Sequence, residues 1–141
     1  MTAAPTILLV DDDPDYIKVI SARLQTRGYE VLTAFDGRAG LEAAQAKRPA
    51  LIILDLLLPR LNGYEVCTLL KQDTRHHRIP IIIFSGKTER KDREMALSCG
   101  ADAYITKPYT ADELFQQISR LLGGPPPAPA GPSPAQAPPA P

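Results

Sequence analysis

Leu51-Ile52-Ile53-Leu54-Asp55 decides the fold. Four apolar residues in a row, two of them β-branched, are too few for a helix and lack the alternation of a strand with one wet face. A strand buried on both faces satisfies both observations. The acid that closes the run then stands at a strand's carboxyl end. Two further runs repeat the pattern: Ile7-Leu8-Leu9-Val10, followed by Asp11-Asp12-Asp13, and Ile81-Ile82-Ile83-Phe84, followed by Ser85-Gly86. Tyr29 to Thr33 and Ala103 to Thr106 are weaker candidates, whose polar positions suit the edges of a sheet.

Helical patterns separate these strands. Asp15 to Arg27 sets Ile17, Ile20 and Leu24 on one face, with Gly28 as a stop. Arg38 to Lys47 is Ala-rich and ends before Pro49. Tyr64 to Lys71 presents Val66, Leu69 and Leu70, and Lys91 to Cys99 ends at Gly100. Thr110, with Glu113 three residues on, predicts a capping box opening a last helix whose stripe is Leu114, Ile118, Leu121 and Leu122. Strand–helix repeated five times implies right-handed crossovers and an α/β, flavodoxin-like (βα)5 fold. The expected open parallel sheet has the order 2-1-3-4-5, which buries the three apolar strands and leaves the two weaker ones at the edges. Helices cover both faces.

The chain has 141 residues, and its 16 basic side chains match 16 acidic ones. Zero net charge argues against a protein that holds nucleic acid or an acidic membrane by bulk electrostatics. No apolar run approaches the roughly 20 residues that cross a bilayer. The amino terminus lacks the basic start and apolar block of a signal peptide, so a cytoplasmic location is expected. Cys67 and Cys99 do not make a disulfide framework and fit a reducing compartment. From Pro125 onward, 9 of 17 residues are Pro and 5 are Ala. Such a segment has nothing to bury, so residues 1–124 are expected to be the domain and 125–141 a disordered tail or linker.

The strand ends collect the chemistry. The first ends in Asp11-Asp12-Asp13, the third in Asp55, the fourth in Ser85-Gly86 and the fifth in Thr106-Lys107-Pro108. In open parallel sheets ligands bind beyond the carboxyl ends, where the winding direction switches, and the two acid-bearing strands straddle that point. Clustered carboxylates repel one another and invite a hard cation; Mg2+ takes one or two of them plus phosphate oxygens. A lysine and a hydroxyl opposite suit phosphoryl oxygens, and one remaining carboxylate can act as a nucleophile.

Four stretches, ILLVDDDPD at Ile7 to Asp15, LIILDLLLPRLNGYEV at Leu51 to Val66, IIIFSGK at Ile81 to Lys87 and GADAYITKP at Gly100 to Pro108, together resemble the receiver domain of two-component response regulators. The resemblance covers about Thr6 to Leu122. It implies that Asp55 is the phospho-acceptor and that Asp11 and Asp12 are the acidic pair. Asp12 would bind Mg2+ directly and Asp11 mainly through water, with the backbone carbonyl of Leu57 as a third protein ligand. Lys107 would pair with the phosphoryl group, Ser85 would be the switch hydroxyl and Tyr104 the switch aromatic. The implied donor is a sensor histidine kinase or a histidine phosphotransfer protein. The implied output is a protein target bound through the fourth helix, fifth strand and fifth helix, a face that also allows a homodimer. No direct nucleic-acid contact, no membrane insertion and no enzymatic turnover beyond self-phosphorylation and self-dephosphorylation are expected.

Two rival functions share some of these residues. A haloacid-dehalogenase-type phosphatase would use Asp11 as nucleophile and Asp13 as acid, but Pro14 stands where that motif continues with Thr or Val. A receiver-shaped scaffold blind to phosphate would usually have lost the acids or the lysine. Plainer roles also compete residue by residue. Asp13 before Pro14 reads as a helix N-cap. His76 and His77, in the polar stretch DTRHHR, read as solvated loop residues, and the charged run Lys87 to Glu94 reads as a solvated helix start.

Overall fold

Leu51–Asp55 (β3) is the central strand of a five-stranded, all-parallel sheet in the order β2-β1-β3-β4-β5. The computed structural model describes residues 4–86, 90–106 and 111–123. Its elements are β1 (Thr6–Val10), α1 (Pro14–Thr26), β2 (Glu30–Ala34), α2 (Gly37–Lys47), β3, α3 (Gly63–Gln72), β4 (Ile81–Ser85), α4 (Arg90–Ser98), β5 (Ala103–Thr106) and α5 (Ala111–Leu122). The strand order is the one expected from the apolar runs, with the two less apolar strands at the edges.

The pleat sorts each apolar run between two cores. Leu8, Val10, Ile52, Leu54, Ile81 and Ile83 face α2, α3 and α4, among them Ala44, Val66, Leu70 and Ala96. Ile7, Leu9, Leu51, Ile53, Ile82 and Phe84 face α1 and α5, meeting Ile17, Ile20, Leu24, Leu114, Phe115 and Ile118. Fully burying one such side chain contributes about 1.5–3 kcal/mol, so the three central strands carry much of the stability. Their register brings Val10 beside Leu54, Asp55 beside Phe84 and Ser85 beside Thr106. The residues that follow these positions therefore emerge on one rim.

Local signals start the helices. The Asp13 carboxylate accepts the amides of Asp15 (3.0 Å) and Tyr16 (3.3 Å), with Pro14 in the first turn. Asn62 and Glu65 form a reciprocal capping box on α3. The expected capping box at Thr110 lies outside the described residues, as does the Pro-rich segment from residue 125 onward.

Two expectations are corrected. The second strand begins at Glu30, because the Tyr29 amide donates to Leu24 O (3.2 Å) and closes the α1–β2 turn instead of joining the ladder. His76 is not a solvated loop residue. It is 2% exposed, its Nδ1 lies 2.7 Å from Asp73 Oδ2, and its Nε2 lies 3.3 Å from Gln45 O on α2.

Candidate functional site

β1 and β3 end side by side and deliver their acids together. The Asp11 amide extends the β1–β2 ladder by donating to Ala34 O (3.1 Å). Its side chain is 1% exposed, and Oδ1 accepts the Asp13 amide at 2.9 Å. Asp12 is exposed; Asp55, the last residue of β3, is buried. One carboxylate oxygen from each of Asp11, Asp12 and Asp55 lies within 4.8 Å of the other two.

Three carboxylates so close repel one another when all are ionised, and burial of two of them strengthens that repulsion. An all-oxygen set of this kind fits a hard divalent cation such as Mg2+. Asp13, the third acid of the triplet, caps α1 instead. Leu57 lies two residues past Asp55, with its side chain 60% exposed at the rim.

Ser85 ends β4 and is 1% exposed, next to β5. Tyr104 on β5 is buried at 6% exposure, and a hydrogen bond joins its hydroxyl to the Ser85 side chain. Burial pushes the Tyr104 phenol above its ordinary pKa, against the opposing pull of that bond. The Arg93 guanidinium on α4 sits 5.2 Å from the Tyr104 ring centroid. Tyr64 on α3 donates from its hydroxyl to Asp92 O at 3.3 Å. Burial, followed by the nearby Asp92 and Tyr104, raises the Tyr64 phenol as well. A contact path thus runs from the rim hydroxyl at Ser85 through Tyr104 to α4. Lys107 lies outside the described residues.

Sequence reasoning matched Pro59 and Gly63 to the loop that follows Asp55 but missed the strain within it. Its ends are pinned: the Gly63 amide donates to Leu56 O (2.9 Å), and a Cβ at Gly63 would lie 2.6 Å from Asp55 O, so only glycine fits. Its middle is strained. The Leu61 amide donates to Pro59 O (2.9 Å) around Arg60 at φ 73°, the pattern of a γ-turn of the unfavourable hand. A non-glycine residue held there costs on the order of 1–3 kcal/mol. The positive φ at Gly28 and Gly100 carries a sequence signal; nothing in the identity of Arg60 announces one.

Comparison with known proteins agrees with this geometry. The family model for the response regulator receiver domain matches residues 7–119. The chain is 37% identical over 118 residues to the DNA-binding dual master transcriptional regulator RpaA of Synechocystis sp., covering 84% of this chain and 49% of that protein. It is 38% identical over 116 residues to the alkaline phosphatase synthesis transcriptional regulatory protein PhoP of Bacillus subtilis, covering 82% and 48%. The chain therefore spans about half the length of the curated relatives it matches. Among solved structures, the receiver domain of sensor histidine kinase PA1611 from Pseudomonas aeruginosa PAO1 has a magnesium ion coordinated in its active site cleft. It superposes with a TM-score of 0.80 at 34% identity, covering 86% of this chain and 100% of that one. Vibrio cholerae chemotaxis protein CheY4 gives a TM-score of 0.80 at 31% identity, covering 85% and 100%. With the sheet order, the shared rim of acids and these matches in agreement, the chain belongs to the receiver domain family of two-component response regulators.

Proposed function

We propose that Asp55 accepts a phosphoryl group from a histidine kinase, a histidine phosphotransfer protein or a small acyl phosphate, and that the chain acts as a signalling switch. The observation that carries this is the meeting of Asp11, Asp12 and Asp55 oxygens within 4.8 Å at the carboxyl ends of β1 and β3. A carboxylate oxygen of Asp55 attacks phosphorus, the bond from phosphorus to the donor's nitrogen or oxygen breaks, and the donor leaves with that electron pair. Asp11, Asp12, Asp55 and the Leu57 backbone carbonyl are the proposed holders of Mg2+, which when bound would neutralise the clustered carboxylates and the phosphoryl oxygens. Lys107 is assigned to a phosphoryl oxygen. The Ser85 hydroxyl is assigned to another, exchanging its Tyr104 partner for the phosphoryl group.

That exchange would be the signal. Releasing Tyr104 from Ser85 alters how its ring meets Arg93 on α4, and a downstream protein, or a second copy, would sense the changed α4–β5–α5 surface. The DNA-binding role in the name of RpaA belongs to a longer protein, of which the match covers 49%. For the present chain, protein partners are proposed, in keeping with its zero net charge. Among the described residues no helix is long and apolar enough to cross a membrane, and a cytoplasmic location is proposed.

A phosphatase using Asp11 is the weaker alternative, because its acid would be Asp13 and that carboxylate already accepts two α1 amides. Incubation with Mg2+ and acetyl phosphate, followed by intact mass and site mapping, tests the proposal. Modification is expected on Asp55 and absent in Asp55→Asn. Label on Asp11 would favour the phosphatase, and no label on any acid would leave the phosphate-blind scaffold.

A further inference from the structure

We infer that Gly37, the first residue of α2 and 18 residues before the acceptor, is a positioning residue for the acid cluster. It would act by holding the strained turn that follows Asp55. The inference rests on the proposed phosphorylation of Asp55 for its biological meaning, but not for its geometry.

The turn at Pro59–Leu61 is stabilised from outside its own segment. Pro59 O accepts the Leu61 amide and also the Gly37 amide (3.2 Å). The approach is backbone to backbone: a Cβ at Gly37 would lie 1.7 Å from Leu61 O and 2.6 Å from Leu61 C. No rotamer change relieves such an overlap, so a side chain at position 37 must push the turn away. Asp36 reinforces the seat. Its Oδ1 accepts the Ala39 amide (2.7 Å), and its Oδ2 lies 3.7 Å from Arg60 Nε. A backbone at φ 73° persists only where its surroundings over-determine it, and here they are supplied by the first turn of α2. The other end of the same segment carries Leu56 and Leu57, bonded back to the core through Leu56 N–Phe84 O (3.3 Å) and Gly63 N–Leu56 O (2.9 Å). Six residues between the pins at Leu56 and Gly63 leave little slack, so displacement of Leu61 passes to Leu57 and to the Asp55 carbonyl against which Gly63 is packed.

Gly37→Ala is the direct test, with Leu70→Ala, a core truncation at the far end of α3, as the control for lost stability alone. Mg2+ affinity is read by calorimetry and acetyl phosphate labelling by mass. Gly37→Ala is expected to weaken Mg2+ binding about 10-fold or more, the scale on which groups behind a metal site act, and to slow labelling in parallel. Leu70→Ala should lower the melting temperature with Mg2+ affinity unchanged. Equal Mg2+ affinity in Gly37→Ala and wild type would overturn the inference, even with labelling intact. Absence of label on wild-type Asp55 would instead remove the phosphorylation proposal while the Mg2+ comparison still decides this one. Should Gly37→Ala not fold, Mg2+ titration of the wild type by amide NMR serves. The Gly37 and Leu61 amides should shift with the same midpoint as those of Asp55 and Leu56, and static Gly37 and Leu61 resonances would overturn the inference.

Discussion

The two ends of the sheet treat charge in opposite ways. At the carboxyl end, Asp11, Asp12 and Asp55 crowd three carboxylates together, two of them buried. At the amino end, unlike charges pair. Lys71 Nζ donates to Asp102 Oδ2 (2.9 Å), Ile79 O (2.9 Å) and His77 O (3.2 Å), while the same Asp102 oxygen accepts the Ile81 amide (2.8 Å). Nearby, Asp73 holds His76, which reaches across to α2. The amino-end pairs join unlike charges and add to stability. The carboxyl end gathers like charges whose repulsion a ligand can relieve, and so gives up stability for binding.

Crossed substitutions give the largest test of this contrast. Asp55→Asn is expected to abolish acetyl phosphate labelling while the melting temperature holds or rises, since it removes one of three repelling charges. Lys71→Met should do the reverse. Losing a charged donor that bonds to His77 O and Ile79 O in the α3–β4 connection and to Asp102 before β5 costs about 2 kcal/mol, roughly an 8 °C fall in Tm, with labelling at 20 °C unchanged. A labelling defect in Lys71→Met would show that the two ends are not independent.

Acid sharpens the comparison. Bonds from the Arg75 amide and then from His76 hold the Asp73 carboxyl below its ordinary pKa. The folded state therefore binds this proton less readily than the unfolded chain, so the contribution is complete above about pH 4. It drains away as the pH falls from there through the folded value. Asp73→Asn should flatten the acid limb of the stability–pH curve measured by urea denaturation and leave the neutral limb parallel to wild type. The smallest expected effect is a gain: Arg60→Gly relieves the positive φ at the cost of an exposed ion pair with Asp36, and should raise Tm by roughly 4 °C, about 1 kcal/mol.

These pairs also mark where sequence stops being legible. The central strands could be read because burial on both faces demands continuous apolar runs, and the acid cluster because strand ends in a parallel sheet converge by topology. Asp11, Asp12, Asp55 and Ser85 were named from their places at strand ends, and Tyr104 from the resemblance to receiver domains. His76 was misread because its burial depends on Gln45 O, 31 residues away on another helix, and no local pattern encodes that. Gly37 and Arg60 escaped for the same reason: their importance lies in one backbone approach between the start of α2 and the β3–α3 connection. The tail and Lys107 lie outside the described residues.

Cys67 has a consequence for how motion in this molecule can be watched. Its Sγ donates to Cys99 O at 3.5 Å, and burial pushes the thiol up to about 12, so alkylating reagents meet neither an accessible nor an ionised sulfur while α3 is seated. Iodoacetamide modification of this cysteine then becomes a clock for transient detachment of α3, the helix launched directly from the turn behind Asp55. The partly buried Cys99 serves as the in-tube reference.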